Sequence, residues 1–97
     1  MRVVWTDAAR AQLQGIHDYV AADSVGYAKR LVERIIRRSE QLIQYPESGG
    51  TVPEYNSAEI REVLEGAYRI IYMLRADRVD VVAVVHGARL LPDAPPA

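Results

Sequence analysis

Three cationic side chains in the C-terminal third of this chain have the spacing that chemistry would need. Arg69 sits in Tyr68-Arg69-Ile70-Ile71-Tyr72, a run of β-formers. His86 and Arg89 belong to His86-Gly87-Ala88-Arg89. If Ala76-Asp77 is a two-residue loop between antiparallel strands, Arg69 falls opposite Val84, one side-chain step from His86. Arg69, His86 and Arg89 would then form a cluster able to bind phosphate or a partner's carboxylate. The structural alternative pairs Arg69 with a local glutamate and leaves His86 to end its strand before Gly87. A two-residue turn after the preceding strand puts Glu62 opposite Arg69, giving a cross-strand ion pair. A three-residue turn puts Val63 there and leaves Arg61 on the Arg69 face.

Cleavage of RNA by its own 2′-hydroxyl needs a base, an acid and a cation at the developing charge. Arg69 can supply the cation, and His86 is the only nearby residue whose ordinary pKa suits proton transfer. That set is incomplete. No nucleophile elbow, phosphate loop or paired-carboxylate arrangement is present. Ser24, Ser39, Ser48 and Ser57 have no matching histidine and acid. His17 has no second His or Cys near it, so no metal site and no cofactor are expected.

A second cationic feature lies earlier. Arg30, Arg34, Arg37 and Arg38 recur at i, i+4, i+7 and i+8, one stripe of a helix. Such a stripe either faces solvent or meets an acidic partner. Positive charge is carried by eleven Arg against one Lys, Lys29. Arginine's planar fork favours carboxylates and phosphates. The net charge of −1 argues against general nucleic-acid binding through the whole chain.

The elements that must position these groups follow from periodicity. Residues 2–5 read as a strand, and Thr6 or Asp7 offers a helix cap. Ala9, Leu13, Ile16 and Val20 mark the buried stripe of a first helix. A second helix covers 26–44, with a core stripe of Ala28, Leu31, Val32, Ile35, Ser39, Leu42 and Ile43. Tyr45-Pro46 ends it, and 46–55 reads as a loop. Strands follow at 59–64, 68–75 and 78–86. Tyr68, Ile70, Tyr72 and Leu74 share one face with Val79, Val81, Ala83 and Val85. The helical hairpin is the only cover available to that face. The opposite face mixes Arg69 and His86 with Ile71, Met73, Val82 and Val84. Trp5 is expected in the core.

Ninety-seven residues suit one domain, 1–91, with a Pro-rich tail at 92–97. Cysteine is absent, which excludes disulfides and thiolate metal sites. No signal peptide and no stretch of about 20 apolar residues is present, so the cytoplasm is the expected location. The fold class is α+β in the order β-α-α-β-β-β, with the hairpin on one face of a small, mostly antiparallel sheet.

Taken in order, several stretches resemble the RelE/ParE superfamily of type II toxins. They are Val4-Trp5-Thr6, Leu13-x-x-Ile16-x-x-Tyr19-Val20-Ala21, Tyr45-Pro46, Val52-Pro53-Glu54, Ile60-Arg61-Glu62, Tyr68 to Tyr72 and Val85 to Arg89. The likeness spans roughly 3–90. It implies a cognate antitoxin as partner and a choice between two targets. The ParE-like branch poisons DNA gyrase by binding; the RelE-like branch cuts mRNA on the ribosome. Arg69 and Arg89 match arginines of the nuclease branch. Ile60 and Glu62 stand where RelE carries lysines, and no Tyr follows Arg89. His86-Gly87-Ala88-Arg89 looks more like ParE. The resemblance therefore implies a gyrase-binding toxin first and a ribosome-dependent endoribonuclease second. Candidate partner contacts are Arg30, Arg34, Arg37, Arg38, Arg61, Arg69 and Arg89. If the chain is a nuclease, its site residues are Arg69, His86 and Arg89.

Overall fold

The computed structural model describes residues 1–89 and 91. The tail expected at 92–97 lies outside the described residues. The chain forms β1 (Arg2–Trp5), α1 (Asp7–Ala21), α2 (Val25–Glu40), a 3-10 turn (Gln41–Ile43), β2 (Gly50–Thr51), β3 (Ile60–Glu65), β4 (Tyr68–Leu74) and β5 (Arg78–His86). Both helices start where a hydroxyl can cap them. Thr6 Oγ1 accepts from the N–H of Ala9 at 3.1 Å, and Ser24 Oγ accepts from that of Tyr27 at 3.1 Å. The expected second helix is thus α2 plus the 3-10 turn. The expected loop at 46–55 contains the short edge strand β2.

The five strands run in the order β1-β5-β4-β3-β2. β1 is parallel to β5, and the other pairs are antiparallel. No described helix is long and apolar enough to cross a membrane.

The helical hairpin covers one face as expected. Ala9, Leu31, Ile35 and Leu42 pack there on Val63, Ile70, Tyr72, Val79, Val81 and Val84. Trp5 is partly buried against this core, and its Nε1–H donates to Ser39 Oγ at 3.3 Å. Gly15 interrupts α1. A mid-helix glycine costs about 1 kcal/mol relative to alanine, yet a Cβ there would meet no atom within 4 Å.

Register corrects the sequence reading in two places. The β4–β5 turn at Ala76-Asp77 is as expected, since Leu74 pairs with Val79. A bulge then intervenes: Tyr72 pairs with Val81 but Ile71 with Ala83. One extra residue on β5 moves everything after it to the other face. Ala83 and Val85 therefore leave the helix side, and Val84 joins it. Arg69 faces Val85, and His86 faces Tyr68. The second correction is at the β3–β4 turn, where Glu65 pairs with Tyr68 and Gly66 takes φ 56°. Leu64, rather than Glu62 or Val63, stands opposite Arg69.

The second sheet face is also buried. Val52, Ile60, Ile71, Val82, Ala83 and Val85 form an apolar cluster with Tyr55, Met73 and Leu91 against it. The segment after β2 is its lid, which sequence periodicity did not anticipate.

Candidate functional site

Arg69 lies on this second face, only 9% exposed. Its guanidinium is held by two carboxylates. One comes from Glu54 on the lid: Nη1 donates to Oε2 at 2.8 Å and Nη2 to Oε1 at 2.9 Å. The other comes from Glu62 on β3: Nε donates to Oε1 at 3.1 Å and Nη2 to Oε2 at 2.6 Å. Glu62 reaches it diagonally, being two residues from Leu64 and so on the same face. Four of the five N–H donors are thereby engaged. The charge of Arg69 is met by two carboxylates, which leaves nothing positive to offer a phosphate.

The electrostatics agree with the geometry. Hydrogen bonds from Arg69 hold the Glu54 carboxyl well below its ordinary value of 4.5, at about 2. Glu54 and then Glu62 hold the Arg69 guanidinium further into its charged form. For Glu54 the pKa is depressed, so its stabilisation is complete above about pH 4.5 and fades as pH falls towards 2. Glu54→Gln should therefore lose less stability than the native chain between those limits. Denaturant midpoints measured across that range check this; parallel curves would disprove it. Asp80, lowered chiefly by Arg78, and Asp18, lowered chiefly by its bond with His17, act alike in both proteins.

His86 is not beside Arg69. The bulge turns it to the helix side, where its ring meets Tyr68 edge-on at 5.6 Å. Its Nδ1 accepts from the N–H of Ala88 at 3.2 Å, which puts the neutral ring's proton on Nε2. Arg89 is exposed, and its N–H donates to the carbonyl of His86 at 2.9 Å. Together His86 and Arg89 line a groove with Gln12, Ile16, Tyr19 and Tyr68. The expected three-member cluster is thus divided between the two sides of the sheet.

The remaining candidate arginines also separate. Arg61 is turned inward, donating to the carbonyls of Ala58 at 3.0 Å and Gly49 at 2.9 Å, so it fastens the β2 region. On α2, Arg34 lies 3.8 Å from Glu65 and over the Tyr27 ring at 5.7 Å. Arg38 donates to the Leu64 carbonyl at 3.2 Å and to Gln41 at 2.5 Å. Arg30 and Arg37 are exposed. The stripe therefore survives as a cationic surface, with the exposed Tyr27 ring against Arg34.

Sequence reasoning gave no role to Glu54 or Gly49, and it placed Tyr72 on the helix-covered face without a role for its hydroxyl. The Tyr72 hydroxyl donates to the Pro46 carbonyl at 2.8 Å and accepts from the Gly49 N–H at 3.0 Å. Burial holds that phenol above its ordinary pKa. Only the approach of sequence-distant segments creates these contacts.

Residues 3–91 match the family described as ParE toxin of type II toxin-antitoxin system, parDE. A curated relative, Toxin RelE2 of Caulobacter vibrioides, is 36% identical over 90 residues, which cover 92% of this chain and 98% of the relative. Among solved structures, one described as the chromosomal ParDE TA system from P. aeruginosa superposes with a TM-score of 0.74. That match covers 89% of this chain and 95% of the other. At 22% identity it is a likeness of fold.

Proposed function

The chain belongs to the ParE toxin family of type II toxin–antitoxin systems, and from that premise we propose that it arrests growth by binding DNA gyrase in the cytoplasm and is neutralised by a cognate antitoxin. The observation that carries the binding reading is the state of Arg69. A ribonuclease needs a cation free to meet a phosphate and a proton-transfer group beside it. Arg69 is saturated by Glu54 and Glu62, and His86 lies across the sheet. A toxin that works by occupying a partner's surface needs neither group. The exposed arginines Arg30 and Arg37, with Arg34 and Arg38 beside them, offer an acidic antitoxin segment a place to dock.

Purified toxin at micromolar concentration is expected to inhibit supercoiling of relaxed plasmid by gyrase, and added antitoxin to restore it. Unaltered supercoiling would overturn the proposal. The alternative, a ribosome-dependent endoribonuclease, rests on the 36% identity to a protein named RelE2. Primer extension on translated mRNA after induction separates the two: codon-phased cuts select the nuclease, intact transcripts with blocked supercoiling the gyrase inhibitor.

A further inference from the structure

β1 closes one end of the sheet. It has β5 on one side and, among the described residues, no strand on the other. Its parallel pairing with β5 fixes which backbone groups are used. Arg2 aligns with Arg78 and Trp5 with Val81, and the Thr6 N–H donates to the Val81 carbonyl at 3.0 Å. Bonding direction alternates along a strand, so Arg2, Val4 and Thr6 turn their backbone groups to β5. The N–H and C=O of Val3 and Trp5 then point to the open edge. An edge of this kind is a template for another strand.

The surface beside that edge is apolar. Met1, Val4, Ile36 and Ile43 are all exposed. Met1 lies against the 3-10 turn, its N-terminal amine donating to the Ile43 carbonyl at 3.4 Å. Val4 and Ile36 share a groove of about 510 Å³ with Val3, Trp5 and Leu13. Exposed apolar side chains gathered along an unpaired edge mark an association surface.

We propose that the occupant is a second copy of this chain, with β1 pairing antiparallel to β1 across a two-fold axis at Val4. Open-edge groups must meet open-edge groups, and side chains directly opposite must share a face. The register centred on Val4 meets both conditions and uses Val3 and Trp5 together. Val3 stands opposite Trp5 of the second copy, each such pair exchanges two backbone bonds, and symmetry makes two pairs. Both side chains pack on the helix side, where an aromatic and a β-branched residue make a favourable cross-strand pair. Val4 meets Val4 of the second copy on the axis. Arg2 falls opposite Thr6 of the second copy, beside Asp7. Charge favours the same register. The Asp7 side chain is 97% exposed and meets Arg10 only through Oδ1, while Arg2 has a 4.0 Å contact with Asp77. Each end of the paired strands thus sets a cation against an exposed carboxylate, and the two five-stranded sheets join into one.

The inference is independent of the gyrase reading, and the purified toxin alone tests it. Sedimentation equilibrium is expected to show the mass doubling with a Kd on the order of 10 μM. Hydrogen exchange of the Val3 and Trp5 amides slows by roughly tenfold or more between dilute and concentrated protein, while the Val4 amide, already bonded to β5, does not change. Val4→Arg puts two like charges on the axis and weakens the dimer by about tenfold or more, with a native circular dichroism spectrum because position 4 is exposed. Arg2→Glu also weakens it, and Arg2→Glu combined with Asp7→Lys restores it, since the swapped pair meets again across the axis. A monomer at about 100 μM, ten times the expected Kd, overturns the inference. So does a dimer that leaves the Val3 and Trp5 amides unprotected, or one that the charge swap fails to rescue. Protection of those amides only when antitoxin is added assigns the edge to the antitoxin and overturns it equally.

Discussion

Arg69→Ala is expected to lower folding stability by about 3 kcal/mol, the lower end of the range for breaking a buried ion pair. The mutation removes the cation that, among the described residues, neutralises both Glu54 and Glu62. Glu62 is largely enclosed, with 16% of its side chain exposed, so its carboxylate keeps a desolvation cost with no compensating bond. Glu54 sits on the lid and can turn to water, its side chain being 39% exposed, which is why the lower end applies. For a domain of this length that loss shifts the melting temperature by roughly 12–24 °C. The lid over Ile71, Val82 and Val85 loses its anchor in the same step. A thermal melt decides the matter, and a shift below about 4 °C would mean that the ion cluster is dispensable. The result also governs how toxicity data are read. Loss of toxicity in Arg69→Ala would accompany loss of stability, so an alanine scan by itself would not separate a catalytic arginine from a structural one.

Gly49→Ala, a single added methyl group, is expected to cost about 3 kcal/mol, at the upper end for overpacking. A Cβ at position 49 would stand 2.5 Å from the Glu62 carbonyl oxygen and 2.6 Å from the Tyr72 hydroxyl. Neither neighbour can move cheaply. The Glu62 backbone belongs to β3, which pairs with β4 on one side and β2 on the other. Tyr72 is fully buried and bonded to both Pro46 and Gly49. Pushing residue 49 outward breaks its N–H bond to Tyr72 and pulls β2 off the sheet edge. Tyr72→Phe added to Gly49→Ala should not restore stability, because the Glu62 carbonyl remains in place. A melt of Gly49→Ala within a degree or two of the native chain would show that the β2 region repositions freely.

Both expectations concern contacts that the sequence did not announce. Glu54 and Arg69 are fifteen positions apart, joined through a segment with no period, and neither their types nor their spacing predicts that they meet. Pro53 and Glu54 were visible only as part of a family likeness. Gly49 was read as a loop glycine, since close approach of a backbone to a tyrosine hydroxyl leaves no local signature. The Arg stripe, by contrast, was legible at once, because a helix with 3.6 residues per turn places i, i+4, i+7 and i+8 together whatever surrounds it.

The cationic cluster shows where such reading stops. Arg69, His86 and Arg89 were brought together by assuming unbroken alternation along 78–86. The bulge near Val82 breaks that alternation once, and once suffices to send His86 to the helices and to leave Arg69 with Glu54 and Glu62. A bulge has no required residue type here: Val81-Val82-Ala83-Val84-Val85 is an apolar run that fits either register, since both sheet faces are buried.

Local chemistry was enough to determine the two helices, four of the five strands in their order and the family likeness, because propensity, periodicity and capping act over a few residues. Which arginine is free and which is spent, which face His86 joins, and where the sheet leaves an edge open were decided by tertiary structure. Each depends on a register or on a lid contact set by packing across the whole domain, where a shift of one residue reverses the answer.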